Sequence, residues 1–135
     1  MPTLERLNTA ALRESVRTFR DTVREHSHGL NRLNVYPVPD GDTGTNMALT
    51  LESVVAEMDG AGPAMADTCK AIGHGSLMGA RGNSGVILCQ VLRGLTAVMA
   101  EGDEVDGVTW ARALAQASTA AYGAVGLDAV EKDFI

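Results

Sequence analysis

Apolar residues in this chain recur every three or four positions, a spacing that restricts the fold to helices packed through one face. Near the N-terminus, Leu12, Val16, Phe19 and Val23 are spaced by four, three and four residues, which places them on one stripe of an amphipathic helix. No run of alternating apolar and polar residues indicates a β-strand. We therefore predict an all-α fold.

Proline and glycine divide this helical pattern into five segments. Pro37 and Pro39 each remove an amide donor and push the preceding residue out of the α region, so the first helix cannot continue past about Asn34. The other four helices are predicted from Thr45 or Asn46 to Asp59, from about Ala64 to His74, from Val86 to Met99 and from Thr109 to Val125. We expect the fourth to be buried on most sides, because it is almost wholly apolar. Trp110 is predicted to be a packing anchor.

Charge and composition argue against nucleic acid as a partner. The formal net charge is -6, whereas a protein that binds a phosphate backbone needs a basic face. Aromatic residues make up only 4%, too few for a platform on which bases stack. Six of the eleven Lys and Arg residues lie within residues 1–32, interspersed with acids. We interpret them as the solvated face of the first helix, with nucleic-acid contact as the weaker alternative.

Two further features of the sequence indicate the cellular compartment. No apolar run is long enough for a membrane span, and the N-terminus lacks the apolar core of a signal peptide. Cys69 and Cys89 are isolated, as is typical of reduced, buried thiols rather than of a disulfide framework. We therefore expect a soluble, acidic, cytoplasmic protein.

The first polar segment follows the two prolines. Asp40 and Asp42 are two residues apart in a non-helical stretch, so their carboxylates can point to the same side, and such oxygen ligands suit Mg²⁺. Thr43, Thr45 and Asn46 follow where the next helix begins, and free amides at a helix N-terminus suit a phosphate. The alternative is a turn between helices in which Asp and Gly merely cap and bend the chain.

The second polar segment covers residues 79–85, within a stretch of thirteen residues, 73–85, that holds five glycines. Glycines let a backbone approach a phosphate closely, and Asn83 or Ser84 is expected to cap the fourth helix. No Lys-Ser/Thr pair follows, so this is not a Walker A loop. The alternative is close helix packing with a tight turn, for which glycines are equally suited.

Residues 33–47 and 79–88 together resemble the nucleotide-binding domain of the dihydroxyacetone (glycerone) kinase family. They are most similar to the DhaL-like domain that begins bacterial fatty-acid kinases, and the resemblance extends from about residue 3 to Val125. It implies an antiparallel barrel of amphipathic helices that binds ATP or ADP at one rim. The family continues after the position of Tyr122 with further helices that complete the barrel. We therefore expect residues 1–135 to form a single DhaL-like domain that lacks those helices.

The resemblance also implies a set of site residues. Acidic side chains of the first segment hold two Mg²⁺ ions in the family, and Asp40 and Asp42 match two of these ligands. Asn34 stands nearest to the third, which is an Asp in the dihydroxyacetone kinases. The residues matching the nucleotide-contacting positions are Thr43, Thr45, Asn46, Gly82, Asn83 and Ser84. Thr43 stands where the dihydroxyacetone enzymes often have His, which points to the fatty-acid branch.

The implied activity is phosphoryl transfer, a reaction that depends on metal charge and positioning more than on a general base. The acceptor would be a fatty acid held by a separate carrier protein, or dihydroxyacetone held by a partner subunit. Exposed apolar faces on the fourth and fifth helices would favour a homo-oligomer or a partner. Two alternatives remain open: a non-catalytic helical interaction module, and a regulatory subunit that retains ADP.

Overall fold

The computed structural model describes residues 6–33 and 42–125, which form six helices. These are α1 (Thr9–Glu25), α2 (Ser27–Leu33), α3 (Thr43–Asp59), α4 (Met65–Gly79), α5 (Gly82–Met99) and α6 (Gly107–Val125). Within this part of the chain the only β pairing is an isolated antiparallel bridge between Leu7 and Val105, whose N···O distances are 2.7 and 2.9 Å. The predicted all-α fold is confirmed.

The first predicted helix is in fact two helices. α1 ends at Glu25, and His26 is its C-cap, with a backbone N–H that bonds to the carbonyl oxygens of Thr22 and Arg24. The chain then turns into α2, which packs against the start of α3. Gly44 makes this approach possible, because an added Cβ would lie only 2.8 Å from the Ser27 Cα. The prediction of one continuous helix was wrong, because the helix is interrupted after Glu25 and α2 packs on α3; the end of α2 at Leu33 agrees with the limit predicted from the prolines.

The predicted glycine-rich loop before α5 is largely helical. α4 was expected to end at His74, but it continues to Gly79, and only Ala80 and Arg81 separate it from α5. An added Cβ on Gly75 would lie 2.9 Å from the Ser53 carbonyl oxygen and 3.0 Å from the Val54 Cα. These glycines therefore serve close packing of α4 on α3, which outweighs their low helix propensity.

The core lies between α1, α3, α4 and α5. Its largest fully buried apolar side chains are Leu51, Val54, Met58, Met65 and Ile72. Phe19 does not join it: the predicted stripe on α1 is buried at Leu12, Val16 and Val23, but Phe19 is 38% exposed. Trp110 is 42% exposed, so the prediction that it anchors the packing is wrong. Both aromatic residues are therefore only partly covered by the rest of the described chain.

Three of the four arginines of α1 form ion pairs with acids. Arg17 lies 2.6 Å from Asp59, and Arg24 lies 2.9 Å from Glu52, so α1 is joined to α3 by ion pairs. The hydrogen bond to Asp59 raises the pKa of the Arg17 guanidinium. These pairs are mostly solvent-exposed, so each contributes little to stability.

α6 packs against α5 alone among the described helices. The two helices approach closely at Gly94, where an added Cβ would lie 2.7 Å from the Ala117 Cα. Asp106 caps α6 by accepting a 2.8 Å hydrogen bond from the Thr109 N–H, which lowers the pKa of its carboxyl group. The large apolar side chains left exposed on α6 are Val108, Trp110, Leu114 and Tyr122. No helix of the described part is long and apolar enough to cross a membrane.

Candidate functional site

The first predicted segment ends at the start of α3. Asp42 is the N-cap of this helix and is exposed, and its carbonyl oxygen accepts the Asn46 N–H at 2.9 Å. The amides of Thr43 and Gly44 come before that first intrahelical bond, so helix geometry gives them no acceptor within α3. Asp40 and Asn34, the two other predicted metal ligands, lie outside the described residues.

α2 holds the start of α3 through a reciprocal pair of hydrogen bonds. The Thr45 N–H donates to Asn31 Oδ1 at 3.1 Å, and Asn31 Nδ2 donates to Thr45 Oγ1 at 3.0 Å. Asn31 thus satisfies one of the amides in the first turn of α3, as an N-cap side chain would. Thr45 was predicted to contact the nucleotide, and its amide and hydroxyl here both bond to Asn31.

The second predicted segment forms the start of α5. Arg81 is the N-cap, with φ -124° and ψ 123°, and Gly82 follows with φ +66°, a left-handed conformation that favours glycine. The prediction that Asn83 or Ser84 caps this helix is therefore wrong, because both lie in its first turn. The helix begins earlier since the Arg81 carbonyl already accepts the Gly85 N–H at 3.0 Å. The amides of Gly82, Asn83 and Ser84 precede this bond.

The starts of α3 and α5 lie side by side. Ser84 Oγ is 3.5 Å from the Thr43 carbonyl oxygen, and Gly82 lies so close to the Asn46 side-chain amide that a Cβ there would collide with it. Four predicted nucleotide-binding residues, Thr43, Asn46, Gly82 and Ser84, are thus brought together. Asn83 is exposed in the same first turn of α5.

This arrangement has the electrostatic character of an anion site. Two helix N-termini at the same end of the molecule direct their amides and the positive ends of their dipoles to one region. The Arg81 side chain is exposed beside them and adds a positive charge. Asp42, at the edge of this region, is a carboxylate of the kind that Mg²⁺ takes as a ligand alongside phosphate oxygens.

Two residues of this region were missed from the sequence. Thr50 is fully buried on α3, and its hydroxyl oxygen accepts a hydrogen bond from the Arg81 N–H. Asn31 on α2 accepts a hydrogen bond from the first turn of α3. The position of Thr50 within the apolar stripe of a helix could have indicated a buried hydroxyl group with a specific hydrogen-bond partner. Nothing in the sequence around Asn31 distinguishes it from an ordinary exposed polar residue.

A comparison with known protein families covers both of these segments. The family model of the DAK2 domain matches residues 37–133, which is more than half of the chain. The chain belongs to the DAK2 domain family. DAK2 domains are the DhaL-like, nucleotide-binding domains of a kinase family, so the resemblance inferred from the sequence is confirmed.

Several curated proteins are similar to this DAK2 domain. Protein YloV of Bacillus subtilis is 38% identical over 118 residues, which cover 83% of this chain and 20% of that protein. An uncharacterized protein of Staphylococcus epidermidis is 44% identical over 97 residues, covering 71% of this chain and 18% of its own length. One from Staphylococcus aureus strain USA300 is 43% identical over the same length. The chain thus spans about a fifth of the length of the curated relatives it matches.

Proposed function

We propose that the chain binds a nucleotide, ATP or ADP, with Mg²⁺ where α3 and α5 begin. The observation that carries this proposal is the juxtaposition of the two helix starts, in which Ser84 Oγ lies 3.5 Å from the Thr43 carbonyl oxygen. Membership of the DAK2 family supports the nucleotide as the anion. The amides of Thr43, Gly44, Gly82, Asn83 and Ser84 would face the phosphates.

The donor chemistry of this region fits a magnesium nucleotide. Asp42 offers a hard oxygen ligand next to amides suited to phosphate, and Mg²⁺ commonly binds through one or two carboxylates together with phosphate oxygens and water. We propose Asp40 as the second carboxylate and Asn34 as a further ligand, on the resemblance alone. Two Mg²⁺ ions, as the family resemblance implies, would offset the charge of the phosphates.

The proposed reaction is phosphoryl transfer from the nucleotide to an acceptor held by another protein. We favour a fatty acid on a carrier protein, because Thr43 stands where the dihydroxyacetone kinases often have His; dihydroxyacetone on a partner subunit is the alternative acceptor. Metal charge and aligned amides stabilise the charge on the transferring group, and no general base from this chain is required.

Calorimetric titration of the chain with ADP, in the presence and absence of Mg²⁺, tests this proposal. We expect Mg²⁺-dependent binding that Asp42→Asn weakens by at least about tenfold, because the metal loses a charged ligand. Asparagine is as good an N-cap as aspartate, so the start of α3 is retained. Asp103→Asn is the matched control: Asp103 is also exposed, but it follows the opposite end of α5. No binding by the unmodified chain, or equal weakening by both variants, would contradict the proposal.

A non-catalytic interaction module is the second candidate. The observation in its favour is the exposed apolar face of α6, where Val108 is 72% exposed and Leu114 is 48% exposed. This candidate predicts a stable oligomer or complex and no response to the nucleotide, so the same titration distinguishes the two functions.

A further inference from the structure

The hydroxyl group of Thr50 lies between the two helix starts. Thr50 is on the second turn of α3 and is 0% exposed. Its Oγ1 donates to the Asn46 carbonyl oxygen at 2.8 Å and accepts the Arg81 N–H at 3.2 Å. One buried oxygen atom therefore connects a residue beside the proposed phosphate site on α3 to the N-cap of α5.

The packing around this hydroxyl leaves little freedom for the connection between α4 and α5. An added Cβ on Gly85 would lie 2.6 Å from Thr50 Oγ1, so α5 begins in direct contact with the hydroxyl. Arg81 immediately precedes Gly82, the residue with positive φ that directs the first amides of α5. Fixing the Arg81 amide therefore fixes the direction of the chain at Gly82.

We propose that Thr50 is a positioning residue that sets the start of α5 relative to α3 for phosphate binding. This inference rests on the proposed function and assigns to Thr50 no contact with the nucleotide. If the Arg81 N–H loses its acceptor, the connection can move, and the amides of Gly82, Asn83 and Ser84 no longer converge with those of α3. An anion site made of backbone amides is sensitive to such a displacement, since its binding depends on direction as well as distance.

The chain contains a matched control for this residue. Thr96 on α5 is also buried, at 6% exposure, and its Oγ1 likewise donates to the carbonyl four residues earlier, that of Leu92, at 2.9 Å. Its second contact, 3.2 Å from the Arg93 carbonyl, stays within the same helix. Thr96→Val therefore removes a buried hydroxyl from a helix without touching the connection between α4 and α5.

The experiment compares Thr50→Val, Thr50→Ser and Thr96→Val with the unmodified chain, by titration with Mg²⁺ and ADP and by amide hydrogen exchange at Arg81. We expect Thr50→Val to weaken binding by about five- to tenfold and to accelerate exchange at Arg81, because one hydrogen bond is lost. Thr50→Ser, which keeps the hydroxyl, and Thr96→Val should bind within about twofold of the unmodified chain. If Thr50→Val does not fold, Thr50→Ala against Thr50→Ser makes the same comparison of an absent and a present hydroxyl.

Three results would overturn the inference: equal binding by Thr50→Val and Thr96→Val, equal weakening by Thr50→Ser and Thr50→Val, or unchanged exchange at Arg81 in Thr50→Val. None of these three results contradicts the proposed function, provided that the unmodified chain binds Mg²⁺ and ADP. Failure of the unmodified chain to bind would instead contradict the proposed function, and the inference with it.

Discussion

At the scale of single residues, buried polar groups in this domain are matched to specific acceptors and donors. Thr68 is fully buried and its Oγ1 accepts from Arg13 Nε at 3.0 Å, which joins α1 to α4. Arg13 also donates to the Gly62 carbonyl in the connection before α4. Among the described residues no buried side-chain nitrogen or oxygen is left without a hydrogen bond. Removing one partner of such a bond leaves the other buried and unsatisfied, which costs more free energy than the bond contributes on balance, so these residues specify the packing.

The two cysteines are buried, as the sequence predicts, each with 2% exposure. Burial raises the pKa of the Cys69 thiol from 9.0 to about 11, because the interior disfavours the thiolate. Since the folded-state pKa lies above that of the unfolded chain, this thiol contributes stability that is present below about pH 9 and is lost as the pH rises towards about 11.

We therefore predict that Cys69 reacts slowly with a thiol reagent in the folded chain. Cys89→Ala leaves Cys69 as the sole thiol of the sequence. At about pH 8 we expect its reaction with Ellman's reagent to be at least about a hundredfold slower in the folded chain than in guanidinium chloride, because both thiolate fraction and access are reduced. Equal rates in the two conditions would contradict the burial of this side chain.

At the scale of helices, small residues determine how closely the elements approach. α5 and α6 meet at Gly94, α3 and α4 at Gly75, and α2 and α3 at Gly44. A side chain at any of these positions would meet backbone atoms rather than the end of a flexible side chain. These three glycines are therefore packing residues within helices.

Two glycine substitutions with opposite effects test this account. Gly94→Ala would place its Cβ 2.7 Å from the Ala117 Cα, and we expect it to destabilise the chain by about 1–3 kcal/mol. Gly73→Ala on α4 meets only the Arg93 Cγ and Thr96 Oγ1 at 3.8 Å, so the gain in helix propensity should stabilise by about 0.5–1 kcal/mol. Urea denaturation gives both free energies of unfolding. Equal stability of the two variants would contradict the close approach of α5 and α6.

Helix content could be predicted from the sequence, but several helix ends could not. The apolar spacing correctly predicts helices in the regions of α3, α5 and α6 because their buried stripes repeat along each helix. The helix ends at Glu25 and Gly79 occur where α2 and α4 pack closely on α3, which are contacts between separate segments of the chain. Phe19 fits the periodicity of α1 and is nevertheless exposed, since burial requires a neighbouring element as well as a stripe.

The location of the candidate site along the chain could be predicted from the sequence, but its three-dimensional arrangement could not. The two polar segments are evident as interruptions of the helical pattern, and Thr43 and Ser84 indeed meet at 3.5 Å. Their relative position depends on Thr50 and on the packing of Gly85 against it, which are contacts between distant parts of the chain. Local patterns do not contain that information.

At the scale of the whole molecule, the charge of the chain and its proposed ligand have the same sign. The formal net charge is -6, and a nucleotide is also anionic, so binding requires a local positive region. The paired starts of α3 and α5, Arg81 and Mg²⁺ would together supply it. Self-association through the exposed face of α6 stays a prediction, which sedimentation at several concentrations would test.

The position at which the ligand binds tests the central claim most directly. We would record the amide resonances of the ¹⁵N-labelled chain while adding Mg²⁺ and ADP. The account predicts shifts concentrated at Thr43, Gly44 and residues 82–84, where α3 and α5 begin, with little change in α1 or at Asp103. No shifts at saturating nucleotide, or shifts centred on α6 around Trp110, would contradict it.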